Sequence, residues 1–203
     1  MKKLIALLML LCLLPLSALA EMDEDGDVVV TLDGAEFFFT PIEGGHLLTR
    51  ESSASVFNRL GLSQREVLPS MEADGVYAIL FDLARRAEIQ IIASPTDARD
   101  YDEMTADEVA QACEELRSRY ESWDWQIETA EMYRAPDGHQ YIKFIYYYTY
   151  EDGTVEYSVE YHTCQAGYSL MILVYPFGAD APTMEQIAQG EAIADSLRIK
   201  ATE

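Results

Sequence analysis

The sequence predicts an α+β protein, a three-layer α/β/α sandwich around a central sheet that is mostly antiparallel. The strand candidates follow one another across short turns, which is the order of antiparallel hairpins. Several strands, for example residues 76–81 and 168–175, are apolar on both alternating faces, as expected where both faces of a sheet are covered. Helix-capping sequences in the middle and near the end of the chain supply the covering layers.

The first twenty residues have the pattern of a secretory signal peptide. Lys2 and Lys3 precede an apolar run over residues 4–14, and residues 17–20 (SALA) provide the small residues at which signal peptidase cleaves. The run is shorter than the roughly 20 residues of a membrane-spanning helix. A lipid anchor on Cys12 is disfavoured because no small residues precede that cysteine. We predict a secreted, extracytoplasmic protein with no transmembrane segment in the mature chain.

The remainder of the chain is predicted to form one folding unit. Residues 21–27 (EMDEDGD) make an acidic lead-in that we expect to be flexible. Residues 28–203 show no repeat and no linker, and they are long enough for one sizeable core. We therefore predict a single α+β domain over residues 28–203, and we expect it to be a monomer.

Charge and motifs restrict the function. The chain has a net charge of −22, and loss of Lys2 and Lys3 with the leader makes it −24. Such a field repels nucleic acid and anionic lipid, so we expect neither as a partner. The three histidines lack metal-ligand spacing, and the chain has no C-x-x-C pair, G-x-S-x-G elbow or glycine-rich phosphate loop. The sequence therefore predicts no metal site and no cofactor.

The N-terminal half reads as three short strands, two helices and a hairpin. Gly61 is a stop signal for the first helix, and Ser63 with Glu66 has capping-box spacing for the second. Pro69 falls inside that second helix and argues against a long element. The expected strands cover residues 28–32, 36–40, 46–49, 76–82 and 88–94.

The C-terminal half gives the clearest signals. Capping boxes at Thr105 and Thr183 predict a central and a last helix. One face of the central helix is apolar at helical spacing, at positions 109, 113, 116 and 120. The expected strands cover residues 123–133, 140–150, 154–164 and 168–175, with a short terminal strand at 197–199.

This order of elements resembles a known fold family. It comprises a strand pair with a Pro/Gly turn (TPIEGGHLL), a hairpin (VYAILFDLARRAEIQIIAS), an acidic helix (TADEVAQACEEL), three long strands and a closing helix and strand (IADSLRIK). It resembles the PsbP-like α/β/α sandwich, named for an extrinsic subunit of photosystem II. Uncharacterised secreted proteins of Gram-positive gut bacteria are similar. The resemblance implies a non-catalytic accessory or binding module.

A tyrosine-rich ribbon over residues 143–164 raises the question of a site. If Asp152-Gly153 is a two-residue hairpin turn, counting outward places Lys143 opposite His162. One face of the ribbon is then core, at positions 144, 146, 148, 150, 155, 157, 159 and 161. The opposite face carries the candidate ligand-binding residues, which are Tyr141, Lys143, Tyr147, Glu160 and His162. The alternative is a solvated face with an ordinary ion pair.

Two further pairs leave alternatives open. Trp123 and Trp125 point the same way if they lie on a strand, which favours core, whereas an exposed pair could stack on sugar rings. Cys113 and Cys164 are the cysteines outside the leader, and they are either a candidate disulfide or two buried thiols.

Three functional hypotheses follow from these residues. The first is a secreted, non-enzymatic domain that binds a protein or a small ligand. The second is a small-substrate hydrolase or isomerase that uses Lys143, Glu160 and His162. The third is a carbohydrate-binding module that uses Trp123 and Trp125.

Overall fold

A seven-stranded antiparallel sheet forms the centre of the described part of the protein. The computed structural model describes residues 26–178 and 180–202, so the predicted signal peptide and residues 21–25 of the lead-in lie outside the described residues. Within this part of the chain the strands are β1 (Val28–Leu32), β2 (Ala35–Phe39), β3 (His46–Thr49), β4 (Val76–Asp82), β5 (Ala87–Pro95), β6 (Gln126–Arg134), β7 (Gln140–Thr149), β8 (Val155–Gln165), β9 (Tyr168–Pro176) and β10 (Arg198–Ala201). The helices are α1 (Ala54–Arg59), α2 (Gln64–Ala73), α3 (Ala106–Glu121) and α4 (Met184–Ser196).

The strands form two antiparallel sheets. Seven of them make the central sheet in the order β3-β4-β5-β9-β8-β7-β6, and the other three make a small sheet in the order β1-β2-β10. The long strand β9 enters between β5 and β8, which explains why its side chains are apolar on both faces. The predicted α+β class with antiparallel sheets is thus confirmed.

The two faces of the central sheet have different covers. On one face, α1 and α2 pack over β3 and β4, and α3 packs over β6, β7 and β8. On the other face lie α4 and the small sheet, whose Phe37 and Phe39 are fully buried. We call the first the helical face and the second the mixed face. No feature of the sequence indicated that part of the third layer would be the small sheet β1-β2-β10.

Capping decides where the helices begin. Thr105 and Thr183 each accept a hydrogen bond from the backbone N–H three residues on, and the side chain there returns a bond, so both predicted capping boxes are present. Ser63 makes no side-chain cap bond to α2. The capping box predicted at Ser63 is therefore wrong, although the helix itself forms.

The β7–β8 hairpin is paired one residue away from the predicted register. Its loop has three residues, because the Tyr150 N–H donates to the Thr154 carbonyl at 2.8 Å and the Gly153 N–H donates to the Tyr150 carbonyl at 2.9 Å. Gly153 has a φ of +79°, the left-handed conformation that closes a three-residue loop with a bulge. Lys143 consequently pairs with Tyr161. The two-residue turn and the pairing of Lys143 with His162 are wrong.

A one-residue shift moves every side chain of one strand to the opposite face. Ser158, Glu160 and His162 therefore lie on the helical face beside Phe144 and Tyr146, and Tyr161 lies on the mixed face. Within the described residues, no helix is both long and apolar enough to span a membrane.

Candidate ligand pocket on the helical face

A pocket opens on the helical face between α3 and the strands β7, β8 and β9. It has a volume of about 370 Å³. We call it the α3 pocket and define it by its lining residues: Leu116, Arg119, Tyr120, Trp123, Trp125, Tyr146, Glu160, His162, Ser169, Met171 and Leu173. It exists because α3 packs at the β6 end of the sheet while α1 and α2 pack at the β3 end, which leaves parts of β8 and β9 between them.

Glu160 is a buried carboxyl group at the base of the α3 pocket. Its side chain is 1% exposed, and β8 aims it at α3. The Tyr120 hydroxyl donates to both carboxyl oxygens, at 2.8 and 2.9 Å, and the Tyr146 hydroxyl donates to Oε2 at 3.0 Å. Burial raises the pKa of Glu160 to about 7, although the two hydroxyl bonds act to lower it. No positive side chain among the described residues contributes to this pKa.

His162 lies beside Glu160 on the same face, two residues along β8. Its Nδ1 forms a hydrogen bond of 2.9 Å with the Tyr101 hydroxyl, and its Nε2 forms one of 2.9 Å with the Ser169 hydroxyl. Burial, with a smaller effect from the positive charge of Arg119, lowers the pKa of His162 to about 4. The ring is therefore neutral at physiological pH, where one nitrogen donates and the other accepts.

Four aromatic rings form a continuous wall around Glu160. Tyr120 lies 5.9 Å from Trp123 and 5.3 Å from Tyr146 between ring centroids. Trp125 meets Tyr146 edge-on at 4.9 Å. Trp123 is 56% exposed and Trp125 is half-buried, so the wall runs from solvent down to the carboxyl group.

The tryptophans precede β6 instead of lying within it, because α3 ends in a turn over residues 122–124. The strand predicted to begin at residue 123 begins at Gln126. The interpretation that both rings lie on a strand and point into the core is therefore wrong for Trp123. Asp124 has a φ of +64° in this turn, which reverses the chain between the two tryptophans.

The predicted ligand-binding residues are divided between the two faces of the sheet. Glu160 and His162 line the α3 pocket, whereas Tyr141, Lys143 and Tyr147 lie elsewhere. The grouping of these five on one face is wrong, for the register reason given above.

Each of the three residues outside the α3 pocket has a hydrogen-bond or ion-pair partner elsewhere. Tyr141 is fully buried and donates to the Ala194 carbonyl of α4 at 2.9 Å. The Lys143 Nζ lies 2.9 Å from Glu191 of α4. The Tyr147 hydroxyl donates to Gln126 at 2.7 Å. Lys143 therefore does not converge with Glu160 and His162, and the geometry required by the hydrolase hypothesis is not formed.

Sequence reasoning missed Tyr120 and Tyr146 as site residues. The helical spacing correctly pointed Tyr120 toward the sheet, but nothing indicated that its hydroxyl meets a carboxylate. Tyr146 was assigned to the face with Tyr148 and Tyr161 because of the register error. Testing a three-residue loop with Gly153 in the left-handed conformation would have placed Tyr146 beside Glu160.

The two cysteines outside the predicted leader are free thiols. Cys113 of α3 and Cys164 of β8 are both buried in the cluster beneath α3, and no bridge joins them. Burial raises the pKa of both thiols, which keeps them protonated and unreactive. In the described part of the chain, no group of three or more His, Cys, Asp or Glu side chains is placed to hold a metal ion.

Comparison with known proteins finds a similarity in three-dimensional structure alone. No family model matches the chain, and no curated protein matches it. Among solved structures, the chain is similar to the solution structure of cyanobacterial PsbP (CyanoP) from Synechocystis sp. PCC 6803, with 15% sequence identity and a TM-score of 0.43. The match covers 89% of this chain and 91% of that chain. A likeness at this level carries no argument about function, which depends on the α3 pocket itself.

Proposed function

We propose that the protein is an extracytoplasmic, non-enzymatic binding module that holds a small ligand in the α3 pocket. The observation that carries the proposal is the combination of an open pocket of about 370 Å³ with an aromatic wall and one buried carboxyl group. Small-molecule sites are concave, are mainly apolar or aromatic, contain few polar groups and have volumes of about 300–1,000 Å³. The α3 pocket has these properties at the lower end of the size range, which suits a single small molecule.

The groups in the pocket favour binding over catalysis. Both nitrogens of His162 and both oxygens of Glu160 are already hydrogen-bonded within the protein. The Ser169 hydroxyl lies 2.9 Å from Nε2 of His162, but burial lowers the pKa of His162 to about 4, which makes this ring a weak base for activating a nucleophile. The predicted signal peptide supports an extracytoplasmic location.

A ligand screen on a pocket-filling variant tests this proposal. The protein is expressed from its full sequence, and its Tm is measured with amines, amino acids, simple sugars, nucleosides and carboxylic acids. We expect at least one class to raise the Tm. Met171→Trp fills the pocket and should abolish that rise, whereas Met132→Trp, at a 44%-exposed position outside the pocket, should retain it. A screen in which no class raises the Tm, or in which Met171→Trp still responds, contradicts the proposal.

A carbohydrate ligand is a second candidate, and the position of the tryptophans favours it. Trp123 and Trp125 both line the α3 pocket, and Trp123 is 56% exposed, so a sugar ring could stack on it. Titration with a glycan panel would blue-shift and change the tryptophan emission if a sugar stacks there. Unchanged emission across the panel would remove this candidate.

A further inference from the structure

We propose that the ligand of the α3 pocket is a small organic cation, an amine or quaternary ammonium compound, with Glu160 as its counter-ion and the aromatic wall as its cage. This inference rests on the proposed function and specifies the chemistry of its ligand. It starts from a buried carboxyl group that has no cationic partner among the described residues, at the base of a pocket large enough to admit one. Buried charges in proteins are normally paired or are neutralised by a shifted pKa, so the ionised form of this carboxyl group would be stabilised by a positive charge placed beside it.

The hydrogen bonds of Glu160 leave room for a ligand. An ionised carboxylate has about four acceptor positions. The hydroxyls of Tyr120 and Tyr146 supply two protons to Glu160, one of them shared between its two oxygens. An N–H donor on a ligand could therefore use a remaining acceptor position, whereas a quaternary ammonium group, which has no N–H, would interact with the carboxylate through its charge alone. The two hydroxyls also hold the carboxylate in a fixed orientation toward the pocket.

The aromatic wall supplies the second element of cation recognition. Cations are attracted to the faces of Trp and Tyr rings within about 6 Å, most strongly where water is excluded. Trp123, Tyr120, Tyr146 and Trp125 are neighbours in that order, with centroid separations of 5.9, 5.3 and 4.9 Å. A positive group beside Glu160 would thus be surrounded by rings as well as by the carboxylate.

Charge disfavours an anionic ligand. The chain has 36 acidic and 14 basic residues, so its field attracts cations toward the surface. Arg119 carries the permanent positive charge in the described lining, but it is exposed and contributes nothing to the pKa of Glu160. An anion deep in the pocket would instead face the Glu160 carboxylate.

Binding of a cation should depend on pH through Glu160. The titratable groups around the α3 pocket and this carboxyl group are Arg119 and Tyr120 on α3, Tyr146 on β7, His162 on β8, Tyr175 on β9 and Tyr101 before α3. The four tyrosines have raised pKa values and stay neutral, and His162, with a pKa of about 4, is neutral above pH 5.5. Glu88 on β5 lies beside Tyr175 and also has a raised pKa, so a variant is needed to separate its effect from that of Glu160.

Calorimetric titration with matched ligands tests the inference. The cations are tetramethylammonium, choline and benzylamine, and the neutral counterparts of the last two are 3,3-dimethylbutan-1-ol and benzyl alcohol. We expect choline or benzylamine to bind at least about tenfold more tightly than its counterpart. If only the carboxylate form binds, a Glu160 pKa of about 7 weakens binding by roughly 30-fold between pH 8 and pH 5.5.

Three variants test which residues are responsible for cation binding. Glu160→Gln should weaken cation binding at pH 8 by at least about tenfold and abolish the pH dependence. Trp123→Ala, at a 56%-exposed position, should weaken it several-fold. Glu121→Gln removes one charge from the exposed end of α3 and should leave binding unchanged. These variants also separate the α3 pocket from the rest of the acidic surface.

The outcomes separate this inference from the proposed function. Equal affinity for cations and their neutral counterparts, or tighter binding of methyl glucoside than of any cation, would overturn the inference but leave a binding pocket. Undiminished cation binding by Glu160→Gln would overturn it as well. Absence of binding by every probe class would contradict the proposed function and, with it, the inference.

Discussion

Replacing Glu160 with glutamine should remove the part of the pH dependence of the free energy of unfolding that comes from this carboxyl group. Burial raises the pKa of Glu160 from 4.5 to about 7. A shift of about 2.5 units corresponds to about 3 kcal/mol of free energy of unfolding. Between pH 4.5 and 7 the folded protein keeps the Glu160 proton and the unfolded chain releases it. The stability that the protonated group contributes is therefore present below pH 4.5 and lost as pH rises through 7.

His162 acts in the opposite direction in an overlapping range. Its pKa is lowered from 6.5 to about 4, so the unfolded chain takes up the proton first as pH falls. The stability associated with neutral His162 is present above pH 6.5 and lost as pH falls toward 4. Because the two contributions oppose each other between pH 4.5 and 6.5, the wild-type profile alone shows little of either. The difference between Glu160→Gln and wild type isolates the carboxyl group.

The assay is urea unfolding followed by circular dichroism at several pH values between 5 and 8. Over this range, Glu160→Gln should gain about 2.5 kcal/mol of free energy of unfolding relative to wild type. The variant Glu121→Gln removes a carboxyl group from the exposed end of α3 and serves as the control for net charge. A relative gain below about 1 kcal/mol would refute the reasoning, because it would mean that Glu160 is hydrated in the folded protein.

Three further tests concern the packing of α4, the capping of two helices and the two buried cysteines. Gly190→Ala should destabilise the protein by about 1–3 kcal/mol in thermal unfolding, because a Cβ there would lie 2.6 Å from a buried tyrosine ring; an unchanged Tm would show that α4 can move away. Thr105→Ala should cost about 1 kcal/mol and Ser63→Ala less, since Thr105 alone of the two caps its helix; equal losses would contradict this. Cys113 and Cys164 should react with a thiol reagent only after denaturation, and finding them linked in a tryptic digest would show a disulfide instead.

Local sequence signals were sufficient for the elements of the fold. The capping boxes at Thr105 and Thr183 are satisfied by residues three positions away, so they can be read without tertiary information. Strand alternation and turn residues likewise act over short distances, and the expected strands differ from the observed ones by a few residues at most. The exception was Trp123, because a turn with Asp124 at positive φ precedes β6 and the strand begins only at Gln126.

The site could not be derived in the same way. Its assignment depended on hairpin register, and a single extra loop residue before Thr154 exchanged the two faces of β8 relative to β7. The pairing of β9 between β5 and β8, which forms the floor of the pocket, joins residues far apart in the chain.

The sequence by itself determined the class of fold, the strong negative charge and the helix and strand order, because these follow from composition and from interactions between near neighbours. Only the tertiary structure decided which side chains share a face, that Lys143 is separated from Glu160, and that Tyr120 reaches Glu160 across the layer boundary. The physical reason is that a carboxyl group acquires its raised pKa from everything packed around it, and those neighbours come from α3, β7 and β9 as well as from its own strand.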